Sequence, residues 1–333
     1  MDRLVEGGAP WPGAIGVSGG ADSMALMHLL ADWAQARGVS APVVLSVDHG
    51  LRNDSGDDAK RVMKAARAAG LESHVLSWEG AKPKADIEAE ARNVRYALMG
   101  AWCRERGVTG LYVAHTEDDQ AETFLLRLAR GSGLDGLSAM RTVAAFPLAG
   151  YAELCVVRPL LEFRRMDLRA FLKKRGQDWI EDPMNADPRF ARSRLRAAWP
   201  ALEDLGLTVP RIADAAAHLG RARAALEEVT GDLFRRAVRL EDQQAFIDPL
   251  RLKMAMREVG LRVLAEVLSR VSGEAYRPRF ESLERLFDAI VGGTLGGGAT
   301  LRGCRVAPAA KAQAYFGSAT LVVAPEPARS ARS

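Results

Sequence analysis

Six consecutive residues near the N-terminus have the composition of a phosphate-binding loop. The string Ser18-Gly19-Gly20-Ala21-Asp22-Ser23 lies between a short apolar run and an amphipathic segment that begins near Met24. Glycines let a ligand approach the backbone, and the first N–H groups of a helix have no intrahelical partner, so a strand, turn and helix here predict an anion site. A helix cap made by serine and aspartate is the structural alternative.

Asp22 is an unexpected residue beside a phosphate. Its carboxylate would repel a bound phosphate unless a cation lies between them, so its presence predicts a magnesium ion at this position. The Walker loop is excluded, because the G-x-x-x-x-G-K-S/T spacing is absent and no lysine follows the glycines. The loop alone therefore indicates a site for nucleotide phosphates, with Mg²⁺ held near Asp22.

A second polar cluster follows the apolar run at residues 111–114. It begins with His115 and continues with three carboxylates, Asp118, Asp119 and Glu122. On a helix these carboxylates fall within about 100° of one another, opposite the apolar residues of the same segment. Complementing the helix dipole explains one or two acidic residues in a first turn. The complete cluster predicts a cation site, for either a metal ion or an ammonium group.

Asp48 and His49 come directly after another apolar run, residues 43–47. Ligands of open α/β sheets bind outside the carboxyl ends of the strands, so this pair is a candidate for ligand contact. A simple turn made by Asp48 and Gly50 explains the same residues equally well. The residues alone leave both interpretations open.

Basic residues concentrate between positions 158 and 196. Seven basic and two acidic residues occur in 158–175, and four more arginines follow with Phe190 among them: Arg189, Arg192, Arg194 and Arg196. A solvated helix face explains many such runs, whereas arginines mixed with aromatic side chains also suit contacts to phosphates and bases. The tract therefore predicts RNA binding, with a solvated surface as the alternative.

The segments that position these clusters alternate between strands and helices. Five apolar runs predict strands that end near residues 17, 47, 78, 114 and 157. The alternation predicts an α/β fold with a Rossmann-like, doubly wound parallel sheet and polar clusters at the carboxyl ends of its strands. Arg92 and Arg95 share one face of a helix predicted over 86–105, where solvated surface is the expectation.

Pro200 and the leucine-rich segment after it mark the predicted domain boundary. We predict an N-terminal α/β domain over 1–199, which includes the basic tract, and a smaller, mainly helical domain over 200–333. Helices are predicted over 212–239, 254–271 and 280–291, and short strands over 301–306 and 319–323. The glycine-rich segment 292–298 is predicted to be a hairpin connector or mobile loop, because the strand–glycine–helix context of a phosphate cradle is missing.

Composition limits the class of protein. A chain of 333 residues with 48% hydrophobic content can bury a large core, and its length predicts about two domains. It shows neither a signal peptide nor an apolar run near the roughly 20 residues that span a bilayer, so we predict a cytoplasmic protein without membrane contact. Cys103, Cys155 and Cys304 lie far apart, which supports neither a disulfide framework nor a zinc site.

Seven strings between residues 13 and 200 resemble, in order and spacing, those of the tRNA(Ile)-lysidine synthases of the PP-loop ATP pyrophosphatase superfamily. They are residues 18–23, 47–52, 90–96, 118–123, 130–133, 158–161 and 179–183. The resemblance implies an adenine nucleotide alpha hydrolase-like fold. It also implies a ligase that uses ATP and Mg²⁺ to join free L-lysine to position 2 of the wobble cytidine in the tRNA(Ile) with a CAU anticodon.

The resemblance also implies roles for the clusters. ATP would bind to residues 18–23 with Asp48 and His49, and Asp22 would hold the metal. Asp119 and Glu122 would bind the lysine ammonium, and one of these two or His115 would remove its proton, with the choice left open. The tRNA-binding residues implied are Arg189, Arg192, Arg194 and Arg196. The resemblance likewise implies that the domain over 1–199 is catalytic and that the domain over 200–333 binds tRNA.

Three alternatives remain at this point. A tRNA 2-thiolase of the same superfamily would depend on cysteines that are often paired, which this chain lacks. An amidating ligase would carry or recruit a glutamine-hydrolysing domain, and none is visible. A non-catalytic nucleotide- or RNA-binding protein would not need Asp22 or the carboxylates at 118–122. The oligomeric state is open, with a homodimer as one alternative.

Overall fold

The computed structural model describes the chain over residues 1–50, 55–80, 87–181, 187–273, 279–310, 315–316 and 319–326. The chain divides into two compact units, Met1–Gly220 and Arg221–Ser333. Four residues of the predicted motifs lie outside the described residues, namely Leu51, Arg52, Asp182 and Pro183.

A six-stranded sheet forms the centre of the first unit. Its strands are β1 (Ala14–Gly16), β2 (Val43–Asp48), β3 (Ser73–Ser77), β4 (Gly110–Tyr112), β5 (Val143–Ala145) and β6 (Cys155–Val157). They lie in the order β3-β2-β1-β4-β6-β5, and every neighbouring pair is parallel except β5 and β6. The predicted Rossmann-like parallel sheet is confirmed, with β5 as an antiparallel edge strand that the sequence did not reveal.

Helices connect these strands and cover both faces of the sheet. They are α1 (Asp2–Glu6), α2 (Ala21–Arg37), α3 (Ser55–Ala68), α4 (Ile87–Glu105), α5 (Glu117–Leu128), α6 (Leu134–Leu137), α7 (Arg165–Arg175), α8 (Ala191–Asp204) and the first part of α9 (Val209–Ala237). Successive residues of one strand enter two different cores: Ile15 packs with α2 and α7, and Ala14 packs with α4. The near-continuous apolar strands follow from this burial on both faces.

The chain reverses its winding direction at β1. On one side β1 pairs with β2, with Ala14 opposite Val43, and on the other side it pairs with β4, with Ala14 opposite Leu111. Ligands of open α/β sheets bind at such a reversal, outside the carboxyl ends of the two strands. The topology therefore places the residues after β1 beside those after β4.

The second unit has its own core and its own antiparallel sheet. Besides the rest of α9, it contains β7 (Val238–Glu241), β8 (Gln244–Ile247), α10 (Pro249–Met254), α11 (Arg257–Ser272), α12 (Phe280–Val291), β9 (Ala299–Leu301), β10 (Cys304–Pro308) and β11 (Leu321–Pro325). The strands lie in the order β7-β8-β11-β10-β9. Apolar residues of the helices, such as Leu264 and Phe287, pack in one cluster with Ile247 and Val323 of the sheet.

The helices of the second unit match the sequence prediction more closely than its strands do. The sequence predicted strands near β10 and β11 but not β7, β8 or β9. β7 and β8 form a tight hairpin whose turn includes Asp242 at a φ of +50°. Each of the two strands is only four residues long, and the helical pattern of α9 runs directly into the first of them. Such short strands carry little periodicity of their own.

The two compact units divide at 220/221, whereas the sequence placed a boundary at 199/200. Pro200 lies inside α8. Val209 and Ile212 are buried against Ala121 of α5, which ties α8 and the start of α9 to the first unit. The assignment of catalysis and tRNA binding to separate domains stays a prediction.

Within the described residues, no helix has both the length and the apolar character needed to cross a bilayer. The three cysteines are free thiols, of which Cys103 and Cys304 are buried. Burial raises the pKa of Cys103 to about 12, so this thiol is unreactive at neutral pH.

Candidate active site

The loop between β1 and α2 is held in a tight turn by glycine and by its own hydroxyl groups. Gly19 has a φ of +86°, and a Cβ there would lie 2.4 Å from Cδ1 of Ile180. The hydroxyl of Ser23 donates to the carbonyl of Gly20 at 2.9 Å and lies 3.3 Å from the hydroxyl of Ser18. Glycine is therefore required at position 19, and both serines shape the turn from within.

The N-terminus of α2 opens onto a cavity. Gly20 is its N-cap residue, and as a glycine it provides no side-chain cap for the first N–H groups of the helix. The serine–aspartate cap considered as an alternative is therefore not the observed arrangement. Gly20, Ala21 and Asp22 line the cavity, so the first turn of the helix is placed to meet a ligand.

This cavity has a volume of about 730 Å³ and joins the two predicted clusters. Its wall includes the loop after β1 and, from elsewhere in the first unit, Arg92, Tyr96, His115, Asp119, Arg165 and Ile180. The volume lies within the range of small-molecule sites in proteins. The carboxyl ends of β1 and β4 thus form one site, as the strand order requires.

Arg165, the first residue of α7, connects the two clusters. Its Nε donates to Oδ2 of Asp22 at 3.1 Å, its Nη2 to Oδ1 of Asp119 at 3.1 Å and its Nη1 to Oε1 of Glu122 at 3.2 Å. Burial alone would lower the pKa of Arg165, but Asp119, Glu122 and Asp22 raise it above its ordinary value. The guanidinium is therefore permanently charged and lies where three carboxylates converge.

Glu122 is the most enclosed carboxylate of the cluster, with 2% of its surface exposed. Arg196 binds it with two hydrogen bonds, from Nε to Oε1 at 2.7 Å and from Nη2 to Oε2 at 3.0 Å. Together with Arg165, this gives Glu122 two guanidinium partners. A buried charge with two such partners is a strong structural link between α5, α7 and α8.

The three predicted carboxylates do not all bind the guanidinium of Arg165. Asp119 has one oxygen on Arg165 and the other in a capping box, where it accepts from the backbone N–H of Thr116 at 2.9 Å. Asp118 instead accepts from the backbone N–H of Arg165 at 2.8 Å. Asp118 is therefore held differently from Asp119 and Glu122, because the backbone N–H at the start of α7 binds its carboxylate, and a cation site formed by all three stays a prediction.

Asp22 is a half-buried carboxylate in the wall of the cavity. Burial raises its pKa, and the charge of Arg165 only partly offsets this effect. Its Oδ1 atom is buried and accepts no hydrogen bond from the residues that the structure describes. Over the same residues, no group of three or more His, Cys, Asp or Glu side chains forms a complete metal site. A metal here would therefore need ligands from the substrate.

His115 lies at the end of β4, inside the cavity wall. Its Nδ1 atom is buried without a hydrogen-bond partner among the described residues. Burial lowers the pKa of His115 to about 4, and the positive charges of Arg158, Arg92 and Arg192 act in the same direction, against Asp119. The imidazole is therefore neutral at pH 7 and able to accept a proton.

This pKa predicts that acidification destabilises the fold through His115. The pKa is about 4 in the folded protein and 6.5 ordinarily, so the unfolded chain takes up a proton first as the pH falls between these values. Between pH 7 and 5, wild type should lose about 1–2 kcal/mol more unfolding free energy than His115→Gln. Urea denaturation at both pH values measures this difference, and equal losses would contradict the low pKa.

Asp48 and His49 stay at the edge of the site. Oδ1 of Asp48 accepts from the backbone N–H of Gly50 at 2.9 Å, which is the turn considered as an alternative above. The ring of His49 lies edge-on to Trp78, with centroids 6.1 Å apart. Val47 lines the cavity, but these two residues are not part of its wall. Their predicted role in ATP binding stays a prediction.

The arginines predicted to bind tRNA fall into two groups. Arg189 pairs with Asp187 at 2.6 Å, and Arg194 donates to backbone carbonyls, so both lie on the exposed side of this region. Arg196 lines the cavity and binds Glu122. Arg192 is half-buried, and its positive charge helps to lower the pKa of His115. One group is therefore available to an external partner and the other belongs to the cavity region.

Several cavity residues were not identified from the sequence. Arg92 and Arg95 are exposed, as expected for a solvated helix face, but they also line the cavity. Arg165 was counted only as part of the basic tract. Ile180 of the predicted string at 179–183 lies against the phosphate loop, where its N–H donates to the carbonyl of Gly19 at 2.9 Å. Arg92, Arg95 and Ile180 lie in two of the strings that resemble those of the family, 90–96 and 179–183. This membership was the sequence signal that could have identified them as site residues.

Comparison with known proteins identifies the family of this chain. The family model described as a PP-loop domain matches residues 12–202. A tRNA(Ile)-lysidine synthase of Methylobacterium nodulans is 36% identical over 336 residues, covering 99% of this chain and 95% of the relative. The chain belongs to the tRNA(Ile)-lysidine synthase family. The synthase of Wolbachia pipientis wMel is 37% identical over 299 residues, covering 88% of this chain and 67% of the relative.

Membership of the lysidine synthase family confirms the main prediction from the sequence. The chain is an ATP-dependent ligase that acts in tRNA modification, and the thiolase and non-catalytic alternatives are not favoured. The family name implies tRNA(Ile) and lysine as substrates, and the PP-loop domain implies the use of ATP.

A solved structure supports the fold of the synthase. A U34-tRNA thiolase from Methanococcus maripaludis superposes with a TM-score of 0.50 at 16% identity, covering 62% of this chain and 71% of that protein. At this identity the likeness concerns the fold alone.

Proposed function

We propose that the protein ligates free L-lysine to C2 of the wobble cytidine in the tRNA(Ile) with a CAU anticodon, which changes the codon read from AUG to AUA. The observation that carries this proposal is Arg165 in the wall of the cavity, which joins the phosphate loop at Asp22 to Asp119 in the wall and to Glu122, which is buried behind it. One site thus offers both a phosphate cradle and ligands for an amine.

The first step is adenylation of the base. The phosphates of ATP lie on the loop 18–23, at the uncapped N-terminus of α2. The carbonyl oxygen at C2 of cytosine attacks the α-phosphorus, and pyrophosphate leaves. The N–H groups of the loop and the guanidinium of Arg165 stabilise the negative charge that develops on the phosphate oxygens.

Asp22 is the residue that would hold Mg²⁺. Its buried and unpartnered Oδ1 supplies one carboxylate ligand, and Mg²⁺ in nucleotide sites commonly combines one or two carboxylates with phosphate oxygens and water. When bound, the ion neutralises negative charge on the phosphates.

In the second step lysine replaces AMP. Asp119 and Glu122 bind the ε-ammonium group of lysine beside the loop. The ammonium gives up a proton, and the free amine attacks C2 of the adenylated base, so that AMP leaves with the former carbonyl oxygen. His115 is neutral at pH 7, and it lies in the cavity wall with Asp119, so either of these or Glu122 can accept the proton.

The arginines of α8 and the residues before it would contact the tRNA. Replacing the exposed Arg189 and Arg194 by alanine should weaken tRNA binding and reduce the slope of log K against log salt by about 1.4–1.8, because each lost phosphate contact removes roughly 0.7–0.9. Filter binding between low and moderate salt measures the slope. An unchanged slope would place the RNA surface elsewhere on the protein.

A homodimer and a cytoplasmic location stay predictions. The size of the protein in solution, measured by light scattering with and without tRNA, tests the first of these.

The two-step reaction is tested by trapping its intermediate. The protein is incubated with a CAU-anticodon tRNA(Ile) and ATP labelled at the α-phosphate, without lysine. We expect label on the tRNA, which free lysine then converts into AMP. Release of labelled AMP when tRNA is omitted would contradict the proposal. Label on the tRNA that lysine does not displace would contradict it as well. The same tRNA with a changed anticodon is the control and should stay unlabelled.

A further inference from the structure

Every carboxylate oxygen of the proposed amine site accepts a hydrogen bond from within the protein. For Asp119, Oδ2 lies in the capping box with Thr116 and Oδ1 accepts from Arg165. For Glu122, Oε2 accepts from Arg196 and Oε1 from both Arg196 and Arg165. An ammonium group that approaches either carboxylate through the cavity therefore meets the guanidinium of Arg165, which lines the cavity and already binds both.

Arg165 is the partner best placed to give way. The capping box of Asp119 is part of α5 itself, and Arg196 grips Glu122 with two hydrogen bonds, at 2.7 and 3.0 Å. Arg165 makes one bond to each of the two carboxylates, at 3.1 and 3.2 Å, and its side chain lines the cavity with 20% of its surface exposed. A guanidinium at the cavity wall can exchange with a cation that enters through the cavity.

A second position for the guanidinium lies beside the first. Arg165 already contacts Oδ2 of Asp22 in the phosphate loop at 3.1 Å. Phosphate groups on the loop would attract the same guanidinium, since arginine binds phosphate and carboxylate with similar geometry. If the guanidinium moved from Asp119 and Glu122 towards the phosphate loop, it would exchange one negatively charged partner for another. Arg165 would therefore stay paired during the movement.

We propose that the guanidinium of Arg165 occupies the amine site until lysine binds. When the ε-ammonium of lysine arrives, the guanidinium moves away from Asp119 and Glu122 and binds the phosphates on the loop instead. It keeps the carboxylates charged and in place before lysine arrives, and it couples the entry of lysine to the presence of ATP. This inference rests on the proposed function. Besides its contact with the phosphates, Arg165 would then favour binding of ATP before lysine.

Calorimetric titration of lysine into wild type and Arg165→Gln tests the exchange, each with and without a non-hydrolysable ATP analogue. Without nucleotide, the variant should bind lysine about tenfold more tightly than wild type, because lysine no longer displaces a guanidinium. The analogue should tighten lysine binding by wild type about tenfold and leave the variant nearly unchanged. Weaker lysine binding by the variant, or equal coupling in both proteins, would overturn the proposal.

Arg164→Gln is the matched control. Arg164 precedes Arg165 and contacts Glu117 at 3.6 Å and Asp118 at 3.4 Å, outside the exchange. Its lysine affinity and coupling should equal those of wild type. Should Arg165→Gln fail to fold, Arg165→Lys keeps the charge but loses the fork of donors, and its lysine affinity should still exceed that of wild type. An unchanged or lower affinity would then overturn the proposal.

A simpler cation separates this proposal from the proposed function. n-Butylammonium carries the ammonium and the four-carbon chain of lysine but not its α-groups. It should raise the melting temperature of Arg165→Gln more than that of wild type. This result without any lysine-dependent reaction on tRNA would support the exchange and refute lysine as the substrate. Equal shifts in both proteins would overturn the exchange whatever the substrate is.

Discussion

Replacement of Asp22 by asparagine should slow adenylation of the tRNA by at least about a hundredfold, the size of effect that follows loss of one preorganised electrostatic group. Asparagine keeps the shape of the side chain and an oxygen for Nε of Arg165, which Asp22 accepts from at 3.1 Å. It removes the negative charge that the buried Oδ1 would offer to Mg²⁺. Single-turnover formation of labelled tRNA in saturating ATP measures this step.

Asp32→Asn is the control for this substitution. Asp32 lies on the same helix, α2, but pairs with Arg175 at 2.7 Å on the exposed side of the protein. Its adenylation rate should equal that of wild type. An Asp22→Asn variant with a normal rate, or one whose rate is low only because it is unfolded by circular dichroism, would remove Asp22 from the adenylation step.

Replacement of Glu122 by alanine should have two separable effects. It leaves Arg165 and Arg196 without their shared buried partner, so the free energy of unfolding should fall by about 3 kcal/mol, the lower part of the range for a broken buried ion pair. It also removes one ligand of the lysine ammonium, so the KM for lysine should rise about tenfold or more. Urea denaturation and steady-state kinetics well below the melting temperature measure the two effects.

Glu117→Ala provides the comparison on the same helix. Glu117 lies in the first turn of α5, and its contact with Arg164 is longer, at 3.6 Å. Its loss should cost less than about 1 kcal/mol and leave the KM for lysine unchanged. If Glu122→Ala kept the wild-type KM, Glu122 would be a structural residue and the lysine ammonium would bind elsewhere in the cavity.

The phosphate loop could be predicted from the sequence because its signal is local. Gly19 and Gly20 between an apolar run and an amphipathic segment specify a turn before a helix, and the structure places Gly19 at positive φ. The strand order then brings His115 and Asp119 to the same cavity, as ligand sites at the carboxyl ends of parallel strands require. Local patterns and one topological rule were sufficient for this part of the site.

The central position of Arg165 could not be predicted in the same way. It depends on the angle at which α7 returns to α5, which no local pattern encodes. The different partners of Asp118 and Asp119 have the same cause. Asp118 accepts from the backbone N–H at the start of α7, whereas Asp119 accepts from the guanidinium of Arg165. A local signal was missed at Thr116, because threonine three residues before aspartate is typical of a capping box and explains part of the role of Asp119.

The most direct test of the proposed function is the mass of the wobble nucleoside after reaction with ATP and lysine. The protein is incubated with a CAU-anticodon tRNA(Ile), ATP and radiolabelled lysine, and the tRNA is digested to nucleosides. We predict a cytidine heavier by one lysine less one water, labelled from lysine, with one AMP formed for each modified base. An unmodified cytidine beside AMP formation, or lysine attached anywhere other than the wobble base, would contradict it.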